Sequence, residues 1–206
     1  MELEKIEKIY SRFSHVYDYI FKMIFLEGRK IGIKLLDIAH EDKILEVGIG
    51  TGLSLPYYPS HCDITGIDLC KDMLVKAKKR LGRLGMNNVK LLHSDASYTE
   101  FEDNTFDRIF AAYFISVVPD PVKVIKEMKR VCKKNGKIVF VNHFKSENPI
   151  ISKFEEFVSP LCCKIGFKTD VSMTNLFAEA DLTICEERGV NLFDYWKVVL
   201  CNNIQK

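Results

Sequence analysis

The sequence predicts an α/β protein with a seven-stranded, mostly parallel sheet, closed by a C-terminal antiparallel hairpin and preceded by a helical extension. Two observations carry that prediction. Short runs rich in branched and aromatic residues alternate with helical patterns between residues 43 and 142, which is how a parallel sheet covered by helices reads. The final two runs, in "LTICEERGVNLFDYWKVVLCN", are joined by a loop with no helical pattern, so they close the sheet as an antiparallel pair.

Taken in order, Leu3, Ile6, Ile9, Tyr10, Phe13, Val16, Tyr17, Ile20, Phe21 and Ile24 recur at steps of three and four, the spacing of an amphipathic helix over 3–24. A second helix is expected over 27–39 in "EGRKIGIKLLDIA". Strands are expected at 43–47, 63–68, 89–93, 106–112 and 136–142, and in the hairpin at 182–187 and 195–202. Between them, helices are expected at 52–58, shortened by Pro56, at 71–83 and at 121–133. No repeat, linker or low-complexity tract divides the 206 residues, so one domain is expected over 1–206. Within it, residues 1–40 are expected to form a helical lid or membrane segment, and residues 143–181 a substrate cover.

Hydrophobic residues make up 47% of the chain and charged residues 28%, as in a soluble globular enzyme, and the formal net charge is only +2. No apolar run reaches the roughly 18 residues of a membrane span. The acidic, amphipathic "MELEKIEKIY" is unlike a secretory signal, so a cytoplasmic protein is expected. The seven cysteines are scattered, with no C-x-x-C pair. They read as free thiols in a reducing compartment, and no metal site is expected.

The chemistry starts in "ILEVGIGTGLSLPYYP", residues 44–59. A glycine-rich turn after a buried strand lets backbone approach a ligand closely. The dinucleotide fingerprint G-x-G-x-x-G fails here because Leu53 stands where its third glycine should be. The spacing is E-x-G-x-G-x-G, through Glu46, Gly48, Gly50 and Gly52. Such a loop accommodates the amino-acid part of S-adenosyl-L-methionine (SAM), which has no pyrophosphate; alone it could equally be a tight turn. Asp68 should end the second strand, where a carboxylate can accept from both ribose hydroxyls. Asp95, in "HSDA", follows the third strand, placed to hold the adenine amino group. Either acid alone could be a helix cap. The three features at neighbouring strand ends point together to SAM.

On these residues the chain resembles class I SAM-dependent methyltransferases, which are Rossmann-like, over nearly its whole length. "IYSRFSHVYDYIFKMIFLEGRKIGI", "LEVGIGTGLSLPYY", "SVVPDP" and "VNHF" narrow the resemblance to the soluble bacterial phospholipid N-methyltransferases. These methylate phosphatidylethanolamine, through its mono- and dimethyl forms, towards phosphatidylcholine. One departure is "KKNGK" before the fifth strand, where Pro-Gly-Gly is usual. The resemblance implies S-adenosyl-L-homocysteine as product. It also extends the cofactor contacts to Tyr17, Thr51, Leu69, Met73, Ser94, Ala96 and Ala112.

Methyl transfer is an in-line displacement, so alignment and exclusion of water are the main requirements. An ammonium acceptor must first lose a proton. His143 is the candidate base, or a structural histidine bonded to loop backbone; Asn142 either orients the amine or caps its strand. Tyr17 and Tyr113 are candidates to ring the substrate nitrogen and the sulfonium, because aromatic faces attract such cations even after methyls replace N–H groups, or else they are core. Arg29 offers a planar fork for a carboxylate or the lipid phosphate, with a surface salt bridge as the alternative.

A lipid acceptor requires docking at a membrane surface, here the inner face of the cell membrane. The N-terminal helix has an apolar face for it, yet residues 1–30 carry six basic and five acidic groups, so that face serves equally as a lid. Two further helices are basic, with six bases against one acid in "KDMLVKAKKRLGR" and seven against one over 122–137. They should lie on opposite faces of the sheet, which argues against a nucleic-acid partner. Two other readings stay open, a quinone or small-molecule methyltransferase and a non-catalytic SAM-binding regulatory protein. Oligomeric state is not legible.

Overall fold

A computed structural model describes residues 25–144, 172–190 and 196–204. The helix predicted over 3–24, with Tyr17 in it, and residues 145–171 of the predicted cover lie outside these residues. The strands are β1 (Lys43–Val47), β2 (Asp63–Asp68), β3 (Val89–His93), β4 (Phe106–Ala112), β5 (Cys132–Asn142), β6 (Thr183–Val190) and β7 (Trp196–Asn202). They form one seven-stranded sheet in the order β3-β2-β1-β4-β5-β7-β6. Strands β1 to β5 pair in parallel, and β7 runs antiparallel to both β5 and β6.

Side chains alternate between the two faces of the sheet. Leu45, Val47, Ile109, Ala111 and Phe140 pack on one face with Val124, Ile125 and Met128 of helix α3 (Pro121–Val131) and with Leu176 and Phe177 of α4 (Met173–Glu179). On the other face, Ile44, Ile64, Phe110, Val139 and Val141 meet Ile33 and Leu36 of α1, helical from 25 to 36. Leu81 of α2 (Lys71–Leu84) packs there with Ile49 and Leu55, and this cluster shares Met86 and Val89 with the α1 cluster. The two basic helices, α2 and α3, therefore cover opposite faces. Helix α4, inside the predicted cover, is part of the core.

Helix α1 approaches the sheet closely because of two glycines one turn apart. A Cβ on Gly28 would stand 2.5 Å from the Tyr113 hydroxyl, and one on Gly32 would stand 2.7 Å from the Phe110 ring. The helix stops at 36, earlier than its apolar pattern predicts. Asp37 turns left-handed with φ 50°, and Arg108 of β4 donates from Nε to the Leu36 carbonyl at 2.8 Å and from Nη2 to that of Asp37 at 3.3 Å. Those bonds satisfy carbonyls that a helix end leaves open.

The segment predicted as a helix at 52–58 is a three-residue 3-10 turn, Leu55–Tyr57, with Pro56 in its first positions. Strand β5 starts at Cys132 rather than at 136, because the pairing with β4 shifts between Phe106 and Arg108 and Asn135 turns left-handed with φ 61°.

The loop after β3, which carries Asp95, is tied to α3 by a carboxylate. Glu127 Oε1 accepts from the Thr99 amide at 2.7 Å, from its hydroxyl at 2.6 Å and from Arg130 Nη2 at 2.7 Å. Arg130, the largest influence, holds the Glu127 carboxyl down at about 2. Its folded value lies below the ordinary value of 4.5, so this stabilisation is complete above 4.5 and is lost as pH falls through about 2. Glu127→Ala is expected to cost about 2–3 kcal/mol in urea unfolding at pH 7, with the difference from the parent shrinking as the titration is repeated towards pH 2.

Candidate active site

The carboxyl ends of β1, β2, β3 and β4 open onto one cavity of about 450 Å³, a size suited to a small-molecule cofactor. Its floor is the glycine turn. Gly48 has φ +68°, and a Cβ there would stand 2.2 Å from the Phe114 ring, so only glycine fits. At Gly50, with φ +57°, a Cβ would meet nothing within 4 Å, so its backbone is bare to the cavity. Asp68, ending β2, fastens the turn: one carboxylate oxygen accepts from Gly50 N at 2.8 Å and the other from Cys70 N at 2.9 Å. Burial raises the Asp68 carboxyl, while the N–H groups of Cys70 and Gly50 oppose that shift. Each carboxylate oxygen has a further lone pair for a ligand hydroxyl.

Past β3, Asp95 accepts from Ser97 N at 2.8 Å and lines the cavity with Ser94 and Ala96. Thr51, Leu69, Met73 and Ala112 line it as well, and so does Arg29 from α1. The expected cofactor contacts thus meet in one place, apart from Glu46 and Gly52, which lie outside the lining, and Tyr17, which lies outside the described residues.

The residues expected at the chemical step sit differently. Tyr113 lines the cavity, at φ +59°, but it is heavily engaged. Its amide donates to the Val141 carbonyl at 2.6 Å, its hydroxyl donates to the Phe25 carbonyl at 3.2 Å, and the Arg29 guanidinium lies 4.7 Å from its ring centre. One of its faces therefore already holds a cation, and the tyrosine locks α1 onto the sheet. Asn142 is buried and tied down, donating to the His143 carbonyl at 2.7 Å and accepting from the Ser116 hydroxyl at 3.4 Å. His143 is buried beside Trp196, the rings 6.5 Å apart. Among the described residues neither Asn142 nor His143 lines the cavity.

Other members were missed. Trp196, the chain's one tryptophan, stands edge-on to Phe25 at 5.1 Å, joining the hairpin to α1. Asp120 caps α3 by accepting from Lys123 N at 2.9 Å, and both residues line the cavity. The "SVVPDP" motif was the available signal for Asp120. Nothing local marks Phe25 or Trp196.

A mostly parallel sheet of this strand order, with an acid–glycine turn at its first strand end and a cofactor-sized cavity above it, defines a class I SAM-dependent methyltransferase. The chain belongs to that family. Residues 45–140 match the methyltransferase domain family. A phosphatidylethanolamine N-methyltransferase of Cereibacter sphaeroides is 35% identical over 188 residues, 91% of this chain and 92% of that protein. A demethylmenaquinone methyltransferase of Staphylococcus aureus (strain JH9) is 31% identical over 179 residues, 81% of this chain and 73% of that protein. A SAM-dependent methyltransferase from Aquifex aeolicus shares the fold with a TM-score of 0.71 at 22% identity, covering 99% of this chain and all 100% of that one.

SAM is the cofactor and S-adenosyl-L-homocysteine the product it leaves. The residues present fit it: a bare glycine backbone, strand-end carboxylates, and buried Arg29 nitrogens Nε and Nη1 with no hydrogen-bond partner among the described residues.

Glu46 is 2% exposed, and burial pushes its carboxyl up from 4.5 to about 7. With the folded value above the unfolded one, ionised Glu46 works against folding. That cost is absent below 4.5, grows with pH and is complete above about 7, where it amounts to ~3 kcal/mol. Glu46→Gln is therefore expected to raise the melting temperature of the ligand-free protein at pH 8 by a few degrees. The gain should vanish in scans near pH 4.5.

Proposed function

We propose that this methyltransferase acts on phospholipid, transferring methyl groups from SAM to the amine of phosphatidylethanolamine and of its mono- and dimethyl forms, towards phosphatidylcholine. The observation that carries this reading is the 35% identity to the Cereibacter sphaeroides enzyme across 91% of the chain. The match to the demethylmenaquinone enzyme is shorter, at 81% of the chain, and supports a quinone acceptor as the second reading.

When bound, SAM supplies an electrophilic methyl on a sulfonium, and the chain's task is to hold the partners in line and dry. The turn from Gly48 to Gly52 cradles the amino-acid end, with Thr51 beside it; Glu46, buried behind the turn and outside the cavity lining, becomes the counter-charge for its ammonium once its side chain turns toward the cavity. Arg29 suits the carboxylate of that end better than a lipid phosphate, because its open nitrogens are buried and it shares the cavity with the glycine turn. Asp68 takes the ribose hydroxyls and Asp95 the adenine amino group. Leu69, Met73, Ser94, Ala96 and Ala112 wall the cofactor in. His143, which does not line the cavity, receives through water the proton that the acceptor ammonium must lose, with Asn142 fixing the loop that carries it. No helix among the described residues is long and apolar enough to cross a membrane. A bilayer substrate is then reached by docking at the inner face of the cell membrane, a task we assign to residues 1–24.

Incubation of the protein with methyl-labelled SAM and liposomes containing phosphatidylethanolamine is expected to place label in lipid. Label that enters demethylmenaquinone and not lipid would overturn the reading in favour of the second. Asp68→Ala is expected to weaken S-adenosyl-L-homocysteine binding about 10- to 100-fold, as measured by calorimetry.

A further inference from the structure

Behind the glycine turn lies a polar compartment that cofactor contacts alone do not explain. Its members are Glu46 on β1, Ser54 and Tyr58 flanking the 3-10 turn, and Arg29 on α1. They are 2%, 1%, 7% and 8% exposed. Among the described residues, Glu46 Oε2, Ser54 Oγ, Tyr58 OH, and Arg29 Nε and Nη1 are all buried without a hydrogen-bond partner. Such atoms are rare in folded proteins, and each calls for an explanation. Ser54 stands at the N-cap of the 3-10 turn, yet its hydroxyl makes no capping bond there. Arg29 alone of the four also lines the cavity, so the compartment and the cofactor site share one wall.

The electrostatics connect the members. Among the described residues, the charged and hydroxyl groups that influence Glu46 most are in the compartment or at its edge: Ser54 and Tyr58 from the turn, Arg29 from α1 and Asp68 from the end of β2. The hydroxyls and Arg29 favour the ionised carboxyl, whereas burial, the largest influence, and Asp68 oppose it. Both hydroxyls approach Glu46 without reaching hydrogen-bond geometry, which leaves room for small adjustments or a bridging water to complete the contacts.

We propose that Ser54 and Tyr58 are positioning residues that turn and ionise Glu46 to receive the cofactor's ammonium, so that cofactor capture expels the Glu46 proton from molecules that still hold it. No covalent bond changes in this step: a neutral carboxyl gives its proton to solvent and becomes the counter-ion of the ammonium. Burial that holds Glu46 at about 7 in the free protein makes the exchange responsive near neutral pH. The proposal rests on the reading that the cofactor's amino-acid end lies over the glycine turn, and it is independent of the methyl acceptor.

The test is calorimetric titration of the full chain with S-adenosyl-L-homocysteine between pH 6 and pH 8.5, in two buffers of different ionisation enthalpy. For the parent protein, affinity should fall by up to about tenfold per pH unit below the break, with a buffer-dependent heat that reports proton release. Glu46→Gln should remove the break and bind weakly throughout; it also registers the ligand's own amine titration, common to all variants. Tyr58→Phe and Ser54→Ala each remove a donor that favours the ionised carboxylate, so each should move the break upward by about half to one pH unit. A merely structural hydroxyl would not move the break. If Glu46→Gln binds as tightly as the parent at pH 8, the ammonium role of Glu46 is overturned. If Glu46→Gln weakens binding but both hydroxyl variants keep the parent profile, the positioning role alone is overturned. Ser54→Ala makes the smaller change and keeps the test open should Tyr58→Phe fail to fold.

Discussion

The contact on which the site depends is the pair of hydrogen bonds that Asp68 accepts from Gly50 N and Cys70 N, at 2.8 and 2.9 Å. The parallel pairing of β1 with β2 ends both strands at the same level, and the carboxylate then spans from one strand end to the turn beyond the other. A turn with left-handed backbone at Gly48, Gly50 and Gly52 has few bonds of its own, so a charged acceptor beneath it sets its shape. The same carboxylate faces the cavity. Loop geometry and ligand recognition are thus coupled through one side chain, and its protonation would loosen both.

A second constraint comes from α1. Its close approach, permitted by Gly28 and Gly32, delivers Arg29 to the cavity wall and Phe25 to the Tyr113–Trp196 cluster, with ring centres 4.4 and 5.1 Å away. Tyr113 holds a left-handed φ that is uncommon away from glycine, and its amide and hydroxyl bonds to two separate elements offset that strain. The aromatic cluster joins the helix ahead of the sheet to the last strand of the hairpin, so both ends of the described chain bear on the cofactor cavity.

Unpartnered buried polar atoms gather beside the cofactor cavity. Buried polar atoms of Glu46, Ser54, Tyr58 and Arg29 lack hydrogen-bond partners among the described residues, while the apolar clusters on both faces of the sheet form around fully buried residues such as Phe110, Phe140 and Phe177. Such an imbalance is expected where a charged ligand completes the electrostatics. The stability of the sheet is what allows the site to remain incomplete.

Much of this was legible in the chain alone. All seven strands follow from two-residue alternation or short apolar runs, the helices α2 and α3 from their longer period, and the methyl donor from Glu46, the glycines, Asp68 and Asp95. These signals are local, spanning a strand or a turn, and local sterics and hydrophobic patterning decide them. Where α1 stops, the start of β5 and the core position of α4 were not legible, because Arg108, the β4–β5 register shift and the α3–α4 contact settle them from elsewhere in the chain. The same holds at the site. Tyr113 reads as a cation-facing aromatic, but that the cation on one face is Arg29, and that Phe25, 88 residues away, takes its hydroxyl, is not legible. The sequence by itself determined the elements and the cofactor; the tertiary structure decided which side chains share a cavity and which are spent on holding it, because strand order and crossovers set those neighbours and no local period encodes them.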